Sequence, residues 1–228
     1  ARSDEQVKMI AAAVALLAAA APSTAGAQET APVVVVSVAE RMLWVVQGGD
    51  TVLATPVAVG SGDTLSHAGR RWTFRTPQGE RRVLRKEADP VWVPPLWHFV
   101  ERARETGRPL VELRAGRPHR FPDGSRVEVR DGFVGHRLAN GAWIPWEPGQ
   151  EVVINGILFV PPLGTENRRV RGELGAYKLD LGDGYLLHGT PHKDSFGNAV
   201  THGCIRVPDD ALRTLYQRVP VGARVIIR

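Results

Sequence analysis

The 228-residue chain contains a single cysteine, Cys204, which excludes an internal disulfide bond. Secreted proteins commonly use cysteines in pairs as cross-links, so one unpaired cysteine is either a buried small hydrophobic residue or a reactive thiol. The sequence also lacks a phosphate-binding glycine loop, a dinucleotide-binding fingerprint and a pair of acids at a recognisable spacing. No cofactor is therefore expected.

The chain has no apolar run long enough to cross a bilayer as a helix. Its unbroken apolar stretch, Met9 to Ala21, has 13 residues, and a spanning helix needs about 20. Basic residues precede this stretch and small residues follow it up to Ala27, which is the pattern of a cleaved secretory signal. We therefore expect an exported protein of the periplasm or cell wall, without stable membrane insertion after cleavage. The expected division is a signal peptide at 1–27, a linker at 28–32 and one domain at 33–228.

Acidic residues are outnumbered by basic ones, 24 against 29, which gives a formal net charge of +5. Such a balance can indicate nucleic-acid binding when the basic residues cluster. Here they are scattered along the chain, so no nucleic-acid partner is expected. Dispersed positive charge is compatible with an anionic cell-wall polymer as a partner, and equally with a solvated basic surface.

Glycine and proline are abundant, with 24 and 17 residues, and they separate short runs rich in β-branched residues. This pattern predicts a mainly β fold with frequent turns. Residues 60–90 are expected to form loops around one or two short strands. Two short helices are predicted, one from Leu96 to Thr106 and one that begins near Pro208 and ends before Pro220. The predicted strands are 33–38, 42–47, 51–59, 127–130, 151–154, 176–181, 185–188 and 224–227.

Three of the seven histidines and the only cysteine lie within residues 188–204. A thiol attacks carbonyl groups as the thiolate, and a neighbouring imidazole can take its proton and hold the pair poised near neutral pH. Either His188 or His202 could do this. Gly203 leaves the backbone open to the close approach of a substrate carbonyl, and the N–H groups of Gly203 and Cys204 are candidate donors to a developing oxyanion. The segment therefore predicts acyl transfer by a cysteine nucleophile.

The same segment resembles the signature of the L,D-transpeptidase (YkuD/ErfK) family. The resemblance rests on His188-Gly189-Thr190 followed by Thr201-His202-Gly203-Cys204-Ile205-Arg206. Two further segments, Thr76-Pro77-x-Gly79 and Gly175-Ala176-Tyr177, are similar to the family's turn before the sheet and its approach to the site. The resemblance covers residues 33–228, with an elaboration at about 80–150 that a minimal member lacks.

The resemblance implies a β-sandwich and an enzyme of peptidoglycan biosynthesis. Such enzymes release D-Ala from a tetrapeptide stem, hold the acyl group on cysteine and pass it to an amine. Cys204 would then be the nucleophile and His188 the general base, while His202 and Gly203 would shape the oxyanion site. The family often has Asn where Arg206 stands, and a guanidinium there could grip a stem carboxylate in bidentate fashion. The residues assigned to substrate binding are Tyr185, Gly189, Thr201 and Arg206.

Several alternatives remain open at this point. Three histidines and Cys204 offer zinc-ligand chemistry, although Gly189 and Pro191 disfavour a helical His-x-x-x-His turn at His192. A wall-binding module with a spent active site is a second, non-enzymatic alternative. Within the enzyme class, the acceptor could be a stem peptide, a wall-attached protein, a D-amino acid or water, the last giving an L,D-carboxypeptidase. The resemblance also implies that carbapenems acylate Cys204.

Overall fold

The computed structural model describes residues 31–228, which form mostly strands, with two α-helices and two 3₁₀ helices, Glu166–Arg168 and Lys193–Ser195. The predicted signal peptide, residues 1–27, lies outside the described residues. Among the residues that are described, no helix is long and apolar enough to cross a membrane. The α-helices are α1 (Leu96–Thr106) and α2 (Asp209–Arg218). The predicted mainly β fold with two short helices is confirmed.

The strands are short and turns separate them. The strands before residue 100 are β1 (Val33–Ser37), β2 (Met42–Gln47), β3 (Asp50–Pro56), β4 (Val59–Gly60), β5 (Thr64–His67), β6 (Arg70–Thr73), β7 (Gly79–Arg82), β8 (Arg85–Ala88) and β9 (Val91–Trp92). Those from 100 to 171 are β10 (Leu110–Glu112), β11 (His119–Arg120), β12 (Arg126–Arg130), β13 (Phe133–Arg137), β14 (Trp143–Pro145), β15 (Val152–Ile154), β16 (Ile157–Val160) and β17 (Val170–Arg171). The last are β18 (Tyr177–Asp180), β19 (Leu186–His188), β20 (Ala199–Thr201), β21 (Ile205–Arg206) and β22 (Arg224–Ile227).

Two sheets share the main hydrophobic core. The larger has the order β3-β2-β1-β22-β7, and the smaller has the order β21-β19-β18-β8. Side chains alternate across a strand, so Val34 and Val36 of β1 point into the core and are fully buried. β22 pairs in parallel with β1, which brings the two ends of the described chain together. From α2, Leu212 and Leu215 complete the core, which makes the fold a β-sandwich closed by a helix.

Residues 91–171 form an accessory unit with a core of its own. β9 and β17 pair at its base, so the chain leaves and rejoins the sandwich at one place. The unit contains the sheets β10-β16-β15 and β11-β12-β13-β14. These bounds differ from the 80–150 expected from sequence, because β7 and β8 pair with β22 and β18 in the sandwich. The buried members of the accessory core are Leu113, Val127, Val134, Val152, Ile154 and Phe159.

Helix α1 belongs to the accessory unit and packs against the sandwich side. Its buried Val100 packs with Leu65, in β5, and with Phe74, which follows β6. The helix ends at Gly107, whose left-handed conformation (φ 66°) favours glycine and stops the helix where the sequence predicted. One face of α1 is thus held against the part of the sandwich that carries the histidine-rich segment.

The expectation of one or two strands in residues 60–90 was wrong, because β5 to β8 all fall within that range. Their sequences are rich in charge and show little alternation, so local patterning does not reveal them. β8 is a strand because it pairs with β18, and β7 because it pairs with β22.

Candidate active site

The parallel strands β19 and β21 place His188 and Cys204 on one face of the smaller sheet. Their register pairs Leu187 with Ile205 and His188 with Arg206. Leu187 and Ile205 are buried in the sandwich core, so the alternating residues His188, Arg206 and Cys204 face the other way. The sheet therefore brings the predicted base, at the end of β19, and the predicted nucleophile, just before β21, to a shared face.

The His188 side chain is buried and its ring is fixed by the next residue. Its Nδ1 atom lies 2.5 Å from the carbonyl oxygen of Gly189. Because a carbonyl oxygen only accepts hydrogen bonds, Nδ1 carries the hydrogen and Nε2 has the free lone pair. Burial, with a smaller contribution from the positive charge of Arg206, lowers the pKa of His188 to about 4, against the raising effect of the Gly189 carbonyl. The histidine is therefore a neutral imidazole at neutral pH.

The thiol of Cys204 is partly exposed, and its Sγ lies 3.6 Å from the carbonyl oxygen of Gly184. Removal of water around the thiol raises its pKa to about 11, against the smaller lowering effects of the Leu186 N–H and the Arg206 charge. The pair thus rests as thiol and imidazole. This differs from the expectation of a thiolate poised near neutral pH, because burial disfavours both charged forms.

The hydroxyl of Thr201 holds the turn that carries the cysteine. It accepts a hydrogen bond from the Gly203 N–H at 3.1 Å and donates one to the Cys204 carbonyl at 2.6 Å. The Gly203 N–H is therefore engaged within the turn and is not the free oxyanion donor that the sequence suggested. The Cys204 N–H has no hydrogen-bond partner within residues 31–228. Thr201, which was assigned to substrate binding, thus bonds to the backbone on both sides of the Gly203–Cys204 peptide.

Gly203 is needed for close packing. Its φ of 120° is one that other residues rarely adopt, and a Cβ there would lie 2.9 Å from the Arg75 carbonyl oxygen and 3.0 Å from the Tyr185 ring. The open space expected for a substrate carbonyl is thus filled on this side by protein. Tyr185 is held in turn by Arg81, whose guanidinium lies 4.9 Å from the ring centroid.

Thr76 is a site residue to which the sequence assigned no role. It belongs to the Thr76-Pro77-x-Gly79 segment, which was noted only for its resemblance to the family's turn. Its buried hydroxyl accepts a hydrogen bond from the Gly60 N–H at 2.8 Å and donates one to the Gly203 carbonyl at 3.0 Å. A carbonyl 127 residues away has no local sequence signal. Thr76 joins the first part of the sandwich to the cysteine turn.

His202 points to helix α1. Its Nε2 lies 2.8 Å from Oε2 and 3.0 Å from Oε1 of Glu101. Its ring stacks on Trp97, with centroids 3.8 Å apart and planes 16° apart, and meets Phe74 edge-on at 4.4 Å. These three partners were not anticipated from sequence. With Nε2 engaged by Glu101, this ring nitrogen is not available to take the proton of Cys204.

The remaining predicted residues lie around this centre. Arg206 is half-buried and pairs with His188 on the neighbouring strand. Burial lowers the pKa of its guanidinium, and the nearby carboxylates of Glu173 and Asp194 oppose that lowering. Gly189 packs on the backbone of Gly175, where a Cβ would approach to 3.0 Å, so its role here is packing and the carbonyl that fixes His188. His192 lies apart, 3.4 Å from Glu173.

The zinc alternative depends on several ligands converging. In the described part of the chain, no group of three or more His, Cys, Asp or Glu side chains is placed to hold a metal ion. The candidate histidines diverge to different partners, a backbone carbonyl for His188, Glu173 for His192 and Glu101 for His202.

Comparison with known proteins gives the family. The model of the YkuD family, the L,D-transpeptidase catalytic domain, matches residues 31–227. The probable L,D-transpeptidase ErfK/SrfK of Salmonella typhimurium is 28% identical over 196 residues, covering 85% of this chain and 43% of that protein. The probable L,D-transpeptidase YbiS of Escherichia coli is 38% identical over 66 residues, 29% of this chain and 20% of that protein.

A solved structure, L,D-transpeptidase 3 from Mycobacterium tuberculosis in complex with a faropenem-derived adduct, is 17% identical with a TM-score of 0.45. It covers 87% of this chain and 60% of that chain. The chain spans less than half the length of the two curated relatives. Because the family model covers nearly all of the described residues, this chain belongs to the L,D-transpeptidase (YkuD) catalytic-domain family.

Proposed function

We propose that the chain is a cysteine-dependent peptidoglycan L,D-transpeptidase. Cys204 is acylated by a tetrapeptide stem, D-Ala is released, and the acyl group passes to an amine acceptor. The observation that supports the proposal is the register of β19 with β21, which puts His188 and Cys204, the residue just before β21, on the same face, while Nδ1 of His188 is engaged by the Gly189 carbonyl. That arrangement leaves Nε2 of His188 as the base for the thiol.

The raised pKa of Cys204 and the lowered pKa of His188 set the order of events. Both groups rest uncharged, so proton transfer from Sγ to Nε2 accompanies attack of the sulfur on the stem carbonyl carbon. The tetrahedral adduct collapses with cleavage of the C–N bond, and His188 returns the proton to the departing D-Ala amine. The acceptor amine then attacks the carbonyl carbon of the thioester and gives a proton to His188; the C–S bond breaks, and His188 passes the proton to the leaving thiolate of Cys204.

The negative charge that develops on the stem carbonyl oxygen needs a fixed donor. The Cys204 N–H supports this role, because it has no partner in the described part of the chain, whereas Thr201 accepts the Gly203 N–H. The sulfur anion is in turn favoured by the Leu186 N–H and by the charge of Arg206, both of which lower the pKa of Cys204.

Arg206 is the candidate for recognition of the stem. A guanidinium presents a planar set of donors that fits a carboxylate, and the stem's terminal residue ends in one. Arg206 lies opposite His188 on the neighbouring strand, next to the face where the scissile bond would sit. A carboxylate bound there would place the terminal D-residue beside the nucleophile.

The proposal includes an extracytoplasmic location, in the periplasm or cell wall, which the signal-like pattern of residues 1–27 and the substrate class support. The acceptor is an amine of a second stem or of a wall-attached protein. Hydrolysis of the same acyl-enzyme would make the protein an L,D-carboxypeptidase instead.

The test is incubation of the purified protein with disaccharide tetrapeptide, with product analysis by mass spectrometry. We expect loss of D-Ala and a cross-linked dimer for the wild type, and unchanged substrate for Cys204→Ala. A tripeptide product without dimer, even when an amine acceptor is in excess, assigns the carboxypeptidase reaction. Unchanged substrate with the wild type, or equal turnover by Cys204→Ala, contradicts the proposal.

A further inference from the structure

Helix α1 of the accessory unit makes a specific set of contacts with the histidine that precedes Gly203-Cys204. Trp97 and Glu101 are four residues apart, so they lie one turn apart on the same face of the helix. Trp97 covers the face of the His202 ring, and both carboxylate oxygens of Glu101 approach its Nε2. Together they hold the ring by one face and one edge.

The Glu101 carboxylate sets the chemistry of the His202 ring. A carboxylate oxygen only accepts hydrogen bonds, so Nε2 of His202 carries a hydrogen whatever the state of Nδ1. Phe74, from the sandwich, meets the ring from another side. A ring contacted by Trp97, Phe74 and Glu101 has little freedom to rotate.

Glu101 is directed to His202 and to no other charged partner in the described chain. Its neighbours on α1 have different partners: Arg102 contacts Glu105 and Glu151, and Arg104 donates to the Ser66 carbonyl. The pair is partly exposed, with 29% and 31% of the two side chains accessible, so a plain surface ion pair would be weak. The pair matters for another reason: His202 belongs to the turn that carries Cys204.

We propose that Glu101 is a positioning residue for acyl transfer, acting through His202 on the orientation of the Cys204 thiol and its backbone N–H. The inference rests on the proposed function for its kinetic readout. His202 is two residues before Cys204, and Gly203 between them is held by Thr76 and Thr201. Because Thr76 and Thr201 fix Gly203, a shift of the His202 ring changes the orientation of the turn between His202 and Cys204. The accessory unit thereby sets the geometry of the nucleophile.

The kinetic test compares Glu101→Ala and Glu101→Gln with a matched control, Glu105→Ala, which removes a carboxylate from the next turn of α1. The Gln amide oxygen still accepts the Nε2–H, so this variant should restore the contact. We expect Glu101→Ala to lower kcat for D-Ala release about tenfold with little change in KM, and Glu101→Gln to stay within about threefold of the wild type. Glu105→Ala should match the wild type. A wild-type kcat in Glu101→Ala, a loss confined to KM, or an equal loss in Glu105→Ala overturns the inference.

Two readouts do not require turnover. The first is the rate of alkylation of Cys204 by iodoacetamide, followed by intact mass, and we expect it to change in Glu101→Ala and not in Glu105→Ala. The second is the ¹⁵N NMR spectrum of the His202 ring. The wild type should show the signature of a ring protonated at Nε2, and Glu101→Ala should lose that signature. If the wild type fails to release D-Ala, the proposed function fails, and these two readouts still decide the role of Glu101. Unchanged alkylation and an unchanged ring signature would refute it.

Discussion

Replacement of His188 by Gln should flatten the acid limb of the stability profile. The imidazole is buried, and burial lowers its pKa from 6.5 to about 4. Between these values the unfolded chain binds a proton at His188 that the folded protein does not bind. The contribution of neutral, buried His188 to the free energy of unfolding is therefore fully present above pH 6.5 and is lost as the pH falls towards 4. At about 1.4 kcal/mol per pH unit, the loss from this one group is about 3 kcal/mol.

The measurement is urea denaturation followed by tryptophan fluorescence at a series of pH values from 7 to about 4. Protonation of carboxylates also destabilises the fold at low pH, because hydrogen bonds from arginines lower the pKa values of Glu128 and Asp180 in the folded state. Both proteins contain these carboxylates, so their effect is the same in the two profiles. The difference between the two profiles therefore isolates His188. His192→Gln, which removes a histidine from the exposed part of the following loop, is the matched control and should retain the acid sensitivity. Parallel profiles for His188→Gln and the wild type would refute the reasoning, whatever the absolute stabilities.

Three further predictions concern the cysteine turn. Gly203→Ala should lower the free energy of unfolding by about 1–3 kcal/mol, because φ there is 120° and the new Cβ lies 2.9 Å from the Arg75 carbonyl oxygen; a melting temperature equal to the wild type's would contradict this. Thr76→Val should cost about 1–3 kcal/mol by leaving the Gly60 N–H and the Gly203 carbonyl without partners, whereas Thr76→Ser should cost less, as thermal denaturation would show. Exposure to a carbapenem should add the mass of one ring-opened drug to the wild type and nothing to Cys204→Ala, and an unmodified wild type in intact-mass spectrometry is the adverse result.

The sequence alone determined the elements and residues whose signals are local. The valine run of β1, the proline and glycine that bound α1, and the closing strand β22 all follow from patterns within about ten residues. The histidine and cysteine segment likewise predicted the family, which the family model confirms, and a cysteine nucleophile, which stays a prediction.

Tertiary structure alone decided which groups each site residue meets. Glu101 reaches His202 across 101 residues, and Thr76 reaches Gly203 across 127. It also decided that burial keeps Cys204 and His188 uncharged at rest and that Thr201 engages the Gly203 N–H. A local pattern records a residue's own preference for helix, strand or burial. It does not record which distant strand or helix will pack against that residue, and that neighbour sets its hydrogen bonds, its solvent exposure and its pKa.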